Sequence, residues 1–562
     1  MRRLWSTLPA HLVAVLVYFL AALFTSAYFM ADTADYLDSI LAYVNGRDYD
    51  FWEFGHLFWR PLGALLFSMA RPPAQQLGAN NDRITATYVL LGVNLLSGVV
   101  SVCALRAFIG RLMKPPWVAT AVASVFAFSH AFLNFSQTGC SYIPGLALVL
   151  VSLYLLAHCG DEPRRHLAAA FAAGISLAGA VCLWFPYILV LPATAAMPLL
   201  LGQFNRKRCE LTGMVTAVAL GCIMIAYGLV IGMLGITSSA QFMDWMSASS
   251  HGNDVKGITR MFFGFARSLI YMGNDGILFK RYLVGDRFNP VSLIELVRIS
   301  LWRIALFYTF LGAICFNLVS GSRRIFYFLV AGILPVIIFA IFFDGGAVER
   351  YLPAYPFVFL GLAVCLANWK SHLTSTSLAA AFCFVMVVVN AAAMANVVLE
   401  RQQRETAARI ADLLPRLNSK SRIVTANWQD QLVNFHRSFP LHPVNRSAEI
   451  SIGALVTPGT DSVARWREDF AKYAFTTWDN GGNLWISRRL LSNRPRSEWN
   501  WVEGDDQRIS WTDFYEFFRG LELEEYSLDA DGFALIIPST ANKNYLAELF
   551  QKQQALIGHD KK

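Results

Sequence analysis

Apolar runs of about 20 residues recur along this chain, and that recurrence limits the folds open to it. A helix of that length crosses the hydrocarbon of a bilayer, where each backbone N–H and C=O must find its partner inside the segment. Composition agrees. Of 562 residues, 55% are hydrophobic and 15% are charged, against about 25% charged in water-soluble chains. A secreted disulfide scaffold, a disordered tail and a cytosolic enzyme are set aside, and the chain reads as a polytopic α-helical membrane protein.

Spans are expected at roughly 11–30, 84–108, 117–133, 143–158, 211–235, 298–318, 325–343, 351–369 and 374–398. The stretch 167–202 is too long for one crossing, and Pro186 in LWFPY interrupts it, so it reads as two short helices. The total is then about eleven. The run after Met1-Arg2-Arg3 is long enough to span and has no convincing cleavage site, so it reads as an uncleaved first helix. Basic residues collect in alternate short loops: Arg106, Arg111 and Lys114; Arg164 and Arg165; Arg206, Lys207 and Arg208; Arg323 and Arg324; Lys370. By the positive-inside rule this puts the N-terminus in the cytoplasm and everything after residue 400 outside it. The net charge of +8 therefore marks topology, not nucleic acid. The nine Cys show neither CxxC nor Cys/His ligand spacing, which supports no zinc site and no disulfide framework.

Composition changes near residue 400, giving a transmembrane domain at 1–399 and a C-terminal soluble α/β domain at 400–562. In the latter, a charged helical stretch precedes the short alternating segments SRIVTAN, GALVTPG, NLWISRR and GFALIIPS. Its seven Trp residues (428, 466, 478, 485, 499, 501 and 511) suit sugar stacking or, more often, a core. Two outer loops, about 31–83 and 236–297, are long enough to carry function. The second contains RMFFGFARSLIYM at 260–272, too short to span and expected in the membrane interface, with Lys256, Arg260, Arg267, Lys280, Arg281 and Arg287 either suited to an anionic head group or simply exempt, as long loops are, from the positive-inside bias. Sequons at Asn134 and Asn445 match by pattern only.

The first long loop begins with three carboxylates. Asp32, Asp35 and Asp38 recur every three residues just past the first apolar run, and on a helix they share a face. Acids at the edge of hydrocarbon cost free energy, which points to use as a general base; the bland alternative is an acidic helix N-terminus. Downstream stand His56 and Arg60, a proton carrier or metal ligand and an anion binder. Near the tenth expected span, Glu349, Arg350 and Tyr351 stand at the outer mouth. An Arg there either snorkels, paired to Glu349, or holds an anion.

Three of these stretches, in order, resemble the GT-C superfamily of polytopic glycosyltransferases, which use polyprenyl-phosphate-linked sugars. DTADYL at 32–37 is similar to the acidic D-x-x-x-Y motif after the first span of its mannosyl- and aminoarabinosyltransferase-like members. HLFWRPLG at 56–63 is similar to their H-x-x-x-R-P-L stretch, and ERYLPAYPF at 349–357 to their R-Y-L-x-P motif. The resemblance covers about residues 1–400. One departure is plain: where relatives often carry Lys-Gly-Pro between the paired helices, this chain has Trp184-Phe185-Pro186-Tyr187.

The resemblance implies a GT-C-like fold and a glycosyltransferase of hexosyl or pentosyl groups, inverting in a single displacement. Asp32 would be the base and Asp35 its helper or substitute. Arg350 would hold the lipid phosphate, with Arg60, His56, Glu349 and Tyr351 in the binding site. The partners implied are a polyprenyl-phosphate-linked sugar donor, a lipid, glycan or protein acceptor, and membrane lipids, with no nucleic acid. The expected location is the bacterial inner membrane, with catalysis on the outer face. No cofactor is called for with certainty; a divalent metal on Asp32, Asp35, Asp344 and His56 stays open, because no spacing compels it. The alternative is a transporter or flippase of a lipid-linked saccharide, but acids buried mid-span and inverted repeats are not seen. A non-catalytic scaffold is a third reading, against which intact Asp32 and Arg350 argue.

Overall fold

The computed structural model describes residues 2–249 apart from 31, 48–50, 80, 159–162 and 203–204; 258–272 and 282; 291–410 apart from 322; and, beyond these, 413, 416–417, 420–424, 441, 455–456, 466–491, 511–525 and 532–548. The fold is mostly helical. The described residues form two compact units, one of Met1–Gly276 with Val297–Leu399, the other of Ile277–Leu296 with Glu400–Lys562.

Seven helices among the described residues are long and apolar enough to cross a membrane: Asp82–Leu112, His166–Leu183, Arg206–Met233, Leu293–Ser320, Arg323–Phe342, Val348–Ala367 and Leu373–Ala393. This makes the chain a multi-pass membrane protein. Four shorter apolar helices, Pro9–Phe24, Pro116–Ala127, Tyr142–Ala157 and Phe185–Leu200, coincide with the remaining expected spans but fall below that length.

The first unit is built by helix packing. Asp82–Leu112 lies against Tyr142–Ala157, which lies against Pro163–Leu183, and that helix lies against Arg206–Met233. Trp302–Gly321 packs on Tyr355–Ala367 and Leu373–Ala393. Burial separates central from peripheral helices. Val348–Ala367 is 83% buried by protein, whereas Arg206–Met233 is 28% buried and exposes Met224, Ile225, Leu229 and Met233. The central helix therefore carries the late motif into the protein interior. Hydrophobicity alone does not drive helices together in lipid, so close packing at small residues matters. At Gly332 a Cβ would stand 2.3 Å from the Phe357 ring.

The stretch 167–202 does break before Pro186, but unequally: Pro163–Leu183 is one full-length helix, and the part after Trp184 divides into a 3-10 turn Phe185–Val190 and short helices Leu191–Ala195 and Met197–Leu200. Pro186, Pro192 and Pro198 sit at the starts of these pieces, where their missing N–H costs nothing. In the 260–272 run, the helix Ile258–Leu269 buries Phe263 to Leu269 in protein and leaves Ile258 and Phe262 exposed.

The second unit contains a five-stranded sheet in the order β2-β1-β3-β5-β4: β1 (Arg422–Val424), β2 (Leu455–Val456), β3 (Leu484–Ser487), β4 (Leu523–Glu525) and β5 (Phe533–Ile536). Strands β2, β1 and β3 run parallel, and β5 and β4 are antiparallel additions. Helices Trp466–Asp479 and Trp511–Arg519 supply Phe470, Ala474, Phe517 and Phe518 to its core. Four of these strands fall in the segments singled out by alternation; β4 was not foreseen. Trp485 is buried and Trp478 packs on the core, so neither is an open sugar platform. Trp428, Trp499 and Trp501, Asn445, Lys256, Lys280, Arg281 and Arg287 lie outside the described residues, as do the side chains of Trp466 and Trp511.

Gly332→Ala should lower the melting temperature of the detergent-solubilised protein, because overpacking a tight core costs about 1–3 kcal/mol. Gly213→Ala, on an open helix face with nothing within 4 Å, should leave it unchanged or raise it slightly. Equal effects from the two would refute the close approach at Gly332.

Candidate active site

The site is organised around a buried turn, Thr138–Tyr142, between the helices His130–Phe135 and Tyr142–Ala157. Buried polar groups need partners, and here those partners come from the first long loop. The Gly139 N–H donates to Thr33 Oγ1 at 2.9 Å, and the Gly139 carbonyl accepts from Trp59 Nε1 at 2.9 Å. Ser141 Oγ shares a hydrogen bond with His56 Nδ1 at 2.7 Å. The Tyr142 hydroxyl donates to Asp32 Oδ2 at 2.7 Å. Four consecutive contacts thus fix Thr33, Trp59, His56 and Asp32 relative to one another. Gly is required at 139, because a Cβ would stand 2.6 Å from Thr33 Cγ2.

Asp32 caps the helix Thr33–Val44, and its carbonyl accepts the Tyr36 N–H. Tyr142 occupies one carboxylate oxygen, and Oδ1 accepts no hydrogen bond from the described residues. Tyr142 itself is braced: its carbonyl accepts from the Tyr187 hydroxyl at 2.6 Å, and Trp184 lies 4.7 Å from its ring. The WFPY segment is an aromatic buttress. Asp35 follows Asp32 in the first turn and is half-buried. Asp38, on the same helix face, is taken up by an ion pair with Arg83 and has a structural role.

The segment 52–60 is held from behind. The Phe54 carbonyl accepts from the Tyr227 hydroxyl, the Trp52 carbonyl from Trp245 Nε1, and the Phe58 N–H donates to the Cys182 carbonyl. Arg60 NH2 lies 2.9 Å from Glu53 Oε2, and its guanidinium sits 5.9 Å above the Tyr36 ring. His56 is buried and meets Tyr36 edge-on at 5.4 Å. Burial lowers the His56 pKa from its usual 6.5; Glu53 and Asp32 pull it up, and Arg350 and Arg60 push it down. The imidazole is therefore a neutral hydrogen-bonding group at neutral pH. Burial, with Asp32 adding to it, pushes the Cys140 thiol up, which keeps it from acting as a thiolate nucleophile.

The late motif is carried by the 3-10 turn Val348–Ala354, which packs on Phe185–Val190, His130–Phe135 and Tyr142–Ala157. The preceding turn includes Asp344 at φ +42°, an uncommon conformation that Asp tolerates better than most residues. Arg260 pairs with Asp344 at 3.5 Å, and Arg267 donates to the Gly346 carbonyl at 3.3 Å. These two loop arginines are accordingly engaged with protein. Tyr351 is fully buried, with its hydroxyl on the Gly345 carbonyl at 2.7 Å and the Met261 carbonyl at 2.9 Å, so it shapes the turn from within the protein. Arg350 lies 5.9 Å over the Phe339 ring, and its Nε is buried without a hydrogen bond. It makes no ion pair with Glu349 among the described residues, although the two charges act on each other electrostatically.

Neighbouring residues of one turn, Tyr142 and Ser141, bond Asp32 and His56; His56 and Arg60 both lie against the Tyr36 ring; and the turn that carries Arg350 packs on the helix Tyr142–Ala157. Glu349 likewise faces Arg350, Asp32 and Asp344. Sequence reasoning did not pick out Glu53, Tyr142 or Ser141. The signal for the last two was a polar cluster, TGCSY, between two apolar runs. Asn134, in the same short segment, is buried, and its side chain bonds the backbone of Tyr28 and Phe29, which removes it as a glycosylation acceptor. Among the described residues no group of three or more His, Cys, Asp or Glu side chains is assembled to hold a metal ion. Asp32, Asp35, Asp344 and His56 make no such group among the described residues.

No protein-family model matches the sequence, and no curated protein matches it in sequence. Solved structures do. ArnT from Cupriavidus metallidurans bound to undecaprenyl phosphate superposes with a TM-score of 0.50 at 11% identity, over 95% of this chain and 98% of that one. The Archaeoglobus fulgidus oligosaccharyltransferase in its apo form gives 0.48 at 13% identity, over 92% and 73%. At such identity the likeness is one of fold, and it is the GT-C fold to which the sequence motifs pointed.

Because folding excludes the proton from His56, the unfolded chain binds it more tightly below pH 6.5. Stability should be unaffected by this residue above about pH 7.5 and fall as pH drops through 6.5. Thermal melts between pH 8 and pH 5 should show a shallower acid limb for His56→Gln than for wild type. An unchanged limb would show that His56 is not the buried neutral group described.

Proposed function

We propose that this chain is a membrane glycosyltransferase that moves a sugar from a polyprenyl-phosphate carrier to an acceptor on the outer face of a bacterial inner membrane. Eleven crossings, a cytoplasmic N-terminus and an extracytoplasmic C-terminal domain belong to the same reading. The observation that supports it is that Tyr142 and Ser141 of one buried turn hold Asp32 and His56, with Arg60 against the same Tyr36 ring as His56. ArnT, of the same fold, was solved with undecaprenyl phosphate bound, which supports a carrier of that class here.

The chemistry follows from what each group can do. A carrier phosphate is already a good leaving group, so it needs positive charge where its own charge develops and no strong acid. Arg350, with Arg60 nearby, supplies that charge. The acceptor hydroxyl oxygen attacks the anomeric carbon as the bond to the phosphate oxygen breaks with its electron pair. The hydroxyl proton passes to Asp32, whose Oδ1 is left open while Tyr142 holds Oδ2. One displacement through an oxocarbenium-like transition state inverts the anomeric centre. Asp35, one turn on, orients the acceptor; Glu349 tempers the charge beside Arg350. The acceptor is a lipid, glycan or protein hydroxyl.

Membranes carrying wild type or Asp32→Asn, supplied with a panel of labelled polyprenyl-phosphate sugars, test the reading. Wild type should transfer label to endogenous acceptors, and Asp32→Asn should lose about 10²–10⁴-fold at normal expression and lipid binding. Equal transfer by both would remove Asp32 from the base role. If neither transfers sugar but both move it across a bilayer, the chain is a flippase. Tyr142→Phe should lower kcat about tenfold with little change in KM, since it removes one hydrogen bond that orients the base. A rise in KM alone would instead place Tyr142 in substrate binding.

A further inference from the structure

Glu53 stands out because the reaction just described has no use for a carboxylate on Arg60. The two side chains are 12% and 14% exposed and meet at 2.9 Å, so neither charge can be hydrated alone. Buried structural carboxylates are commonly tied down by several donors. Among the described residues Glu53 is not: its Oε2 is buried and meets only the charge of Arg60. Its backbone, by contrast, is fixed. The Glu53 carbonyl accepts the His56 N–H, and the flanking carbonyls of Trp52 and Phe54 are held by Trp245 and Tyr227. Freedom is thus confined to the Glu53 side chain. On the other side of the pair, the Tyr36 ring lies beneath the Arg60 guanidinium and would keep it in place if the carboxylate left.

We propose that Glu53 is an exchangeable internal counter-ion, which occupies Arg60 until the phosphate of a phosphate-bearing lipid takes its place. This rests on the glycosyltransferase reading and adds to it a specificity device. Arg350 makes no salt bridge among the described residues, though Glu349 acts on it electrostatically, and receives the anion directly, whereas at Arg60 the anion must outcompete a tethered carboxylate. A phosphate, with three acceptor oxygens and a charge that can exceed one, competes well for a guanidinium; a neutral alcohol does not compete at all. Affinity for the right ligand is traded for rejection of uncharged lipids and of weak anions.

Binding to the full-length protein in nanodiscs tests this, with farnesyl phosphate, farnesol and inorganic phosphate as probes. Glu53→Gln keeps the shape and removes the charge, and should bind farnesyl phosphate about tenfold more tightly than wild type. Farnesol binding should not change. Glu53→Asp, with a shorter reach, should fall between the two. Arg60→Ala should bind farnesyl phosphate weakly, and Glu53→Gln should give no gain in that background. Tighter binding of inorganic phosphate as well would show that the exchange is with the phosphate alone, and a gain for farnesyl phosphate only that it needs the lipid chain. Unchanged or weaker binding of farnesyl phosphate by both Glu53 variants overturns the inference, because a merely structural partner of Arg60 gives no gain on removal. If wild type itself prefers farnesyl phosphate over farnesol, the functional reading survives that outcome. If no variant distinguishes farnesyl phosphate from farnesol, the functional reading and the inference fall together.

Discussion

The hydrogen bond from the Gly139 backbone to Thr33 Oγ1 joins two stretches of chain more than a hundred residues apart, and the site depends on it. A turn buried among apolar helices cannot leave its N–H and C=O groups to water, so they must be satisfied by side chains that reach them. Thr33 and Trp59 meet that need at Gly139, and Tyr187 at Tyr142. The side chains of the same turn, Ser141 and Tyr142, set His56 and Asp32 in place. Backbone satisfaction and site construction are therefore one arrangement, and a change at Gly139 would disturb both.

Charge around His56 is nearly balanced. Two carboxylates, Asp32 and Glu53, are set against two guanidiniums, Arg60 and Arg350, about an imidazole that burial keeps neutral. In such surroundings fields are weakly screened, so a small displacement of one charge is felt by all the others. The anionic carrier on the proposed reading would add to the negative side. A resident carboxylate that can give way is one means of keeping the site balanced both before and after the carrier binds.

Much of the site was legible in the sequence. Asp32, His56, Arg60, Glu349 and Arg350 were singled out by position, at the ends of apolar runs where charge is costly. Asp38 was grouped with Asp32 because helical spacing gives a shared face, but spacing carries no information about Arg83. Arg260 and Arg267 read as lipid-facing, yet they hold the turn at Asp344 and Gly346. The partners that turn isolated residues into a site, Tyr142, Ser141 and Glu53, come from sequence-distant or inconspicuous positions.

What the sequence determined by itself is the set of elements that can be helices in hydrocarbon, since run length and apolar content fix that one segment at a time. It also marked the breaks at prolines and the short alternating strands of the second unit. The tertiary structure decided which polar side chains meet. Most contacts at the site span 80 or more residues of chain, and their geometry follows from how several helices pack at once. No local pattern encodes that. The pairing of Arg60 with Glu53, the seat of Asp32 on Tyr142 and the central place of the late helix are consequences of packing, because only packing says which desolvated group has a partner within reach.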